Sequence, residues 1–441
     1  MVQVREQLDV PSPETTGAGA TRAAVSAPRL GWLDALRGIA VLAVVFQHAG
    51  PQLVDPLYHR IHLRLDPGIF GVFLFFLVSG YIVPASLERR GSVREFWVGR
   101  IFRIYPLYVA VFLAAALLLP RSHSGVDASV FRQPWLSAAA NGLMLQDLLG
   151  VTNGLKVAWT LSYEMVFYYL VSALFTFGWH RRSAPIAVGF ATVALLAGGA
   201  LPLATLTGSG TSAVERTVVA ALLVVVLAMT GILSGRPMLS RAGVLLLAAL
   251  ALALVFLNSR SAAFETMMIL ATMFAGTAIH RAEHGQIGRR SAVLSCGFVF
   301  AAGTAAGVLY AGGAIGRIWT LNAAAWYTAF AAAWLVFGAG FLLRKRRIPH
   351  LLSRLGAVSY AVYLVHFPLL VALEWAMSAG HCSPHGTVQG LCWLAAFTAA
   401  VLAVSEGAHR MVELPGQRLG RRLLGRSNGS AGKANLAGQS G

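Results

Sequence analysis

Of the 441 residues, 57% are hydrophobic and 12% charged, about half the ~25% charged share of a soluble domain, and the mean hydropathy is +0.67. Neither a soluble globular enzyme nor a disordered chain can carry that much apolar surface, whereas a bundle of membrane helices can, because lipid is its solvent. The formal charge of +18 rests on arginine, lysine standing only at Lys156, Lys345 and Lys433; in a membrane chain basic residues gather in cytoplasmic loops, so no nucleic-acid partner is expected.

Residues 1–30 are polar, rich in Pro, Thr, Ala and Gly, and lack a signal-peptide core, which predicts a disordered cytoplasmic tail. Apolar segments then follow almost without pause. Spans are expected at Trp32–Ala49, Gly68–Ser86, Ile101–Leu119, Val157–Phe177, Ala184–Leu206 and Thr217–Ser234. Six more are expected at Gly243–Leu257, Ala262–His280, Ser291–Ala311, Trp319–Leu343, Leu355–Met377 and Val388–His409. The fold class is therefore all-α, a polytopic transmembrane helix bundle of about 10–12 spans over residues 31–413. Residues 414–441 are basic and rich in Gly, Ser and Ala, which reads as a flexible basic cytoplasmic tail. The three cysteines, Cys296, Cys382 and Cys392, make neither a metal site nor a disulfide framework; Cys382 and Cys392 are the pair that could join on the outer side.

Loop charges set the orientation. With the N-terminus inside, the inner loops hold Arg89, Arg90, Arg94, Arg181, Arg182, Arg236, Arg241, Arg281, Arg289, Arg290 and the run Arg344–Arg347. The outer loops hold only Arg60, Arg64, Arg121, Arg132, Arg216, Arg260 and Arg317. Both termini of a multi-pass cell-membrane protein are then expected on the cytoplasmic side.

An ionisable side chain at the centre of a span costs ~2.5–3.5 kcal/mol on insertion scales, so each one needs a reason. The first span carries Asp34, Arg37 and His48. Asp34 and Arg37 are spaced to pair on one helix face, and His48 lies about 16 Å further along nearly the same face. The third span opens with Arg100 and Arg103, one turn apart, either as two guanidinium forks for a polyphosphate or carboxylate or as side chains snorkelling to headgroups. The fourth begins Trp159-Thr160-Leu161-Ser162-Tyr163-Glu164 and runs inward, which puts Glu164 about two turns below the outer surface. His48 reaches a similar depth from the other direction. The two are therefore expected to meet, the imidazole as general base and the carboxylate as its orienting partner. The eleventh span adds Tyr360, Tyr363 and His366 on one face, as a pocket wall or as hydrogen-bond glue between helices. Glu265, Glu374, Glu406 and Glu413 are given no catalytic role.

Taken in order, Leu33–Ala40 with His48, Phe75–Tyr81, Arg100–Tyr108, Trp159–Glu164 and Ser359–Pro368 resemble the acyltransferase family 3, integral membrane enzymes that O-acylate sugars and related hydroxyl compounds. The matching stretches cover most of the chain from Leu30 to Pro415. The resemblance implies that Arg37 and His48 form the family's functional pair of the first helix. It implies that Arg100 and Arg103 recognise the acyl donor, acyl-CoA from the cytoplasm, as a co-substrate rather than a bound cofactor. The family core has about ten helices, which leaves Thr217–Leu257 as an extra pair.

The expected activity is transfer of an acyl group from acyl-CoA to a hydroxyl of a sugar or glycoside. Family members acylate surface polysaccharides, cell-wall sugars, lipid-linked sugars and macrolides, so envelope glycans and secondary metabolites are both expected acceptors. His48 and Glu164 would be catalytic. Arg37, Arg100 and Arg103 would hold the donor, and Asp34, Trp159, Tyr360, Tyr363 and His366 would form the substrate pocket. A transporter or flippase of lipid-linked sugars is the alternative, since it too would need intramembrane charges.

Overall fold

The computed structural model describes residues 31–437 apart from 120–125, 127, 260–261 and 312–321, with side chains to Gly425 in the last helix. The expected tail over 1–30, the start of the tenth expected span at Trp319, and Arg121, Arg260 and Arg317 lie outside the described residues.

Helix α1 (Gly31–Leu53) is followed by the short α2 (Asp55–His62) and by α3 (Pro67–Arg90). Asp66 starts α3 by accepting the Ile69 N–H at 2.9 Å, and Gly91, at φ 66, ends it in the left-handed region, where the absence of a Cβ removes the strain. Ser92 caps α4 (Val93–Leu118) in the same way at Glu95. The short α5 (Ala128–Arg132) and α6 (Pro134–Leu143) lead to a 3-10 turn at Lys156–Ala158 and to α7 (Trp159–Thr176). Then come α8 (Ser183–Ala197), α9 (Thr211–Leu233), α10 (Pro237–Leu257), α11 (Ala263–Glu283) and α12 (Arg289–Tyr310). The described chain closes with α13 (Ala323–Leu342), α14 (His350–Ala379), α15 (Gly386–Ala408), a π-helical turn at His409–Glu413 and α16 (Leu414–Ala437).

Among the described residues eleven helices are long and apolar enough to cross a membrane, so the chain is an all-α, multi-pass membrane protein. The expected span Ala184–Leu206 is shorter than the rest but still runs from the Arg181–Arg182 end of the bundle to the other end. There the Tyr310 hydroxyl closing α12 donates to the Leu195 carbonyl at 2.8 Å, so the number of crossings stays even. The helix of this span, α8, has 15 residues and stops where Gly198 and Gly199 follow, about 22 Å of helix against a hydrocarbon core of ~30 Å. One other expectation is corrected. Beyond Leu414 the chain is not an irregular tail: α16 continues through the π turn and seats Gly416 and Gly420 against Phe102 and Pro106 of α4. Cys382 and Cys392 do not pair, and all three cysteines are free.

Backbones approach where side chains are smallest, as expected when dispersion rather than hydrophobicity holds helices together in lipid. Gly80 of α3 lies against the Met273 carbonyl of α11, Gly276 of α11 against the Leu77 carbonyl, and the Thr277 hydroxyl donates to the Gly80 carbonyl at 2.8 Å. Helices α1 and α14 run parallel, with Gly356 packed on the Asp34 carbonyl near one end and His48 meeting His366 near the other. That pairing places the polar residues of the first and eleventh expected spans side by side.

Candidate active site

The arginines come together. Arg100 on α4 is 7% exposed, donates to the Tyr168 hydroxyl at 3.3 Å, and lies 5.2 Å and 4.9 Å from the ring centroids of Phe96 and Tyr168. Two aromatic faces thus hold a desolvated guanidinium. Arg103, one turn on, and Arg37 from α1 join Arg100, Glu164, Tyr168 and Tyr360 around a small cavity of about 50 Å³. Arg37 feels Arg103 as a like charge and Asp34, Glu164 and Glu413 as opposite ones. The expected Asp34–Arg37 interaction is therefore present, within a larger cluster.

Glu164 sits with these arginines. It accepts from the Tyr168 hydroxyl one turn further along α7 and lines both this cavity and a second of about 80 Å³. The two share Arg37, Ser79, Glu164 and Tyr360 in their walls, while Phe75, Thr160 and Tyr363 belong to the second alone. Thr160 and Tyr363 join α7 to α14 through their hydroxyls at 2.7 Å.

His48 is elsewhere. Its Nδ1 lies 3.0 Å from the Val44 carbonyl and 3.1 Å from Nε2 of the fully buried His366. The Phe367 ring packs edge-on to it at 5.4 Å, and the charge of exposed Lys156 reaches it. The expected His48–Glu164 contact does not form, for a reason of helix register. The antiparallel α7 and α14 are level at Thr160–Tyr363; Glu164 lies one turn beyond Thr160, whereas His366 lies nearly one turn beyond Tyr363 in the opposite sense. The two levels differ by about 10 Å of helix rise. The imidazole at Glu164's expected place is His366.

The remaining pocket residues divide. Tyr360 and Tyr363 line the cavities, the Tyr360 hydroxyl donating to the Ile104 carbonyl at 2.8 Å. Asp34, Trp159 and His366 do not line either cavity; Trp159 packs edge-on against Tyr163 at 5.9 Å. Sequence reasoning missed Thr160 and Tyr168. Their spacing held the clue, since Thr160, Glu164 and Tyr168 recur every four residues and so share one polar face of α7.

Residues 30–405 match the family Acyl_transf_3, described as an acyltransferase domain. The chain is 31% identical over 156 residues to the acyltransferase MdmB of Streptomyces mycarofaciens, covering 32% of this chain and 38% of that one. It is 30% identical over 178 residues to nodulation protein 10 of Rhizobium leguminosarum bv. viciae, covering 37% and 48%. It is 26% identical over 164 residues to the O-acetyltransferase OatA of Staphylococcus aureus, covering 34% and 25%. The chain thus spans under half the length of each of these relatives, and no solved structure matches it. With the family match extending over most of the chain and carrying the arginine cluster, Glu164 and both histidines, the protein belongs to the acyltransferase family 3.

Proposed function

We propose that the protein is a cell-membrane O-acyltransferase that moves an acyl group from acyl-CoA to a hydroxyl of a sugar or glycoside. The observation that carries this reading is the convergence of Arg37, Arg100 and Arg103 on one internal cavity that continues, past Glu164, toward Tyr363. Three guanidinium groups suit the coenzyme's phosphates. The basic loops support the same orientation, with both termini and the arginine end facing the cytoplasm. His48 stands about 16 Å from Arg37 along α1, a separation of the order an extended pantetheine arm spans.

In this reading His48 takes the proton of the acceptor hydroxyl as its oxygen attacks the thioester carbonyl. The carbon–oxygen bond forms, the carbon–sulfur bond breaks, and the proton passes to the departing thiolate. Glu164 serves as counter-ion to the arginines rather than as partner of the histidine. The relatives' names, an acyltransferase and an O-acetyltransferase among them, support acyl transfer; an envelope glycan and a macrolide-like glycoside are the acceptor classes to try first. The test is release of free coenzyme A from acyl-CoA by protein purified in nanodiscs, with and without sugar acceptors, and transfer of a labelled acyl group. Acceptor-dependent release supports the reading. Movement of a lipid-linked sugar across proteoliposomes without thioester cleavage would replace it with a flippase.

A further inference from the structure

The two histidines make a hydrogen-bond chain whose direction is fixed by its ends. The His366 Nδ1 lies 3.0 Å from the Val362 carbonyl, and a carbonyl can only accept. That nitrogen therefore carries the ring's hydrogen, and Nε2 of the neutral ring is left as an acceptor. The same logic applies to His48, whose Nδ1 lies 3.0 Å from the Val44 carbonyl and so bears its hydrogen. Shared between Val44 and the His366 Nε2 at 3.1 Å, that hydrogen completes a chain in which every donor meets an acceptor. The other nitrogen of His48 then bears the bare lone pair, and it has no hydrogen-bond partner among the described residues.

Resting on the acyl-transfer reading above, we propose that His366 is the positioning residue of the reaction, holding His48 in the tautomer whose Nε2 accepts the proton of the acceptor hydroxyl. When Nε2 takes that proton, the Nδ1–H keeps the partners it already had, so nothing reorganises as charge develops. His366 neither gains nor loses a proton. Being fully buried, a neutral acceptor avoids the desolvation cost that a carboxylate would carry there. Residue type and place agree with this role: α1 and α14 pack tightly through Gly356, so the ring has a fixed mount. The titratable side chains that reach the pair among the described residues are Lys156, from the turn before α7, and Tyr363, whose ring centroid is 6.1 Å from that of His366.

Two substitutions separate positioning from packing. His366→Phe keeps the volume and removes the acceptor, whereas His366→Gln returns an acceptor oxygen close to the Nε2 position. The expected result is a fall in kcat of about 10²- to 10³-fold in the Phe variant, less than the ~10⁴-fold lost when a catalytic histidine loses a charged orienting partner, because His366 is a neutral acceptor. KM for donor and acceptor should stay within about twofold, and the Gln variant should return to within about tenfold of the wild type. Equal rates in the two variants, whether both low or both unimpaired, would overturn the proposal and leave His366 as helix glue. A readout independent of turnover is the 15N spectrum of histidine-labelled protein in nanodiscs, with His48 assigned by its loss in His48→Gln. A pyridine-type Nε2 and a pyrrole-type Nδ1 are expected for His48; the reverse overturns the proposal, even where the Phe variant fails to fold. A wild type that leaves acyl-CoA intact would defeat the acyl-transfer reading, while the spectrum would still decide the tautomer.

Discussion

Helices α9 and α10 and helices α1 and α14 are joined by the same device and serve different ends. In the first pair Gly243 packs on the Ala228 carbonyl and Gly231 on the Leu239 carbonyl; in the second Gly356 packs on the Asp34 carbonyl. Yet from Val218 to Leu233 and from Ala242 to Leu257 the first pair holds no ionisable side chain, and Leu223 and Leu227 stand 64% and 66% exposed on its outer face. The second pair carries Arg37, His48, Tyr360, Tyr363 and His366 on or beside its seam. Small residues therefore say only that two helices touch, because in lipid close packing is needed wherever helices associate. Polar residues at a seam need a further reason, since each must be satisfied away from water.

The largest effect that could break this contrast is at His48. His48→Ala should lower turnover by about 10²–10⁴-fold, the usual loss for a positioned general base, in protein that still elutes as one species in detergent. Leu223→Ala should leave turnover unchanged. Wild-type rates in purified His48→Ala would remove the histidine from the mechanism. Next come the arginines: Arg100→Ala or Arg103→Ala should raise KM for acyl-CoA ten- to a hundredfold, on the basis of ~1.5–3 kcal/mol per charge-assisted bond, with little change for the acceptor. Lysine at either position should rescue only in part, lacking the planar fork. Equal weakening toward donor and acceptor would favour headgroup contacts instead.

Glycine exchanges sharpen the comparison at smaller cost. A Cβ on Gly356 or on Gly243 would meet backbone, so either alanine variant should lose about 1–3 kcal/mol of stability, read as a lower thermal midpoint in detergent. Only Gly356→Ala should also slow turnover, because only that seam carries the histidines. A comparable loss of turnover per folded molecule in Gly243→Ala would undo the distinction. The smallest effect concerns orientation. Cys382 is free and exposed in the connection between α14 and α15, and a membrane-impermeant maleimide should label it in intact cells without altering activity. Labelling only after the cells are opened would invert the topology.

How much of this was legible beforehand depended on the kind of question. Hydropathy located the spans because length and apolar content are properties of one segment at a time. Spacing along one helix placed Arg37 below His48, and Arg100 beside Arg103, for the same reason. What spacing within a helix does not contain is the level at which two helices meet. The His48–Glu164 expectation took both residues to lie at one depth, whereas the Thr160–Tyr363 hydroxyl contact sets α7 and α14 so that His366 rises to His48 and Glu164 stays among the arginines. Likewise the span of α8 was read as running to Leu206 because apolar residues continue past the helix end, although Gly198 and Gly199 withdraw helix propensity there. Residues 414–425 looked like linker because their composition is polar and small, but those glycines are what let α16 close on α4.

The π-helical turn at His409–Glu413 gives that last helix its phase. Each residue advances an α-helix by about 100°, and a π turn holds an extra residue, so everything downstream is rotated against what the upstream frame would dictate. With that rotation, Gly416 and Gly420 arrive at Phe102 and Pro106. Deleting a single residue within the turn would return it to regular α-helix and leave the glycines in place, whereas forcing the same residues into α-helical geometry would deliver Pro415 and Leu419 to the places the glycines hold. Insertions and deletions on the two sides of the turn are therefore not equivalent: upstream they shift a lipid-facing surface, and downstream they decide whether the C-terminal helix can touch α4 at all.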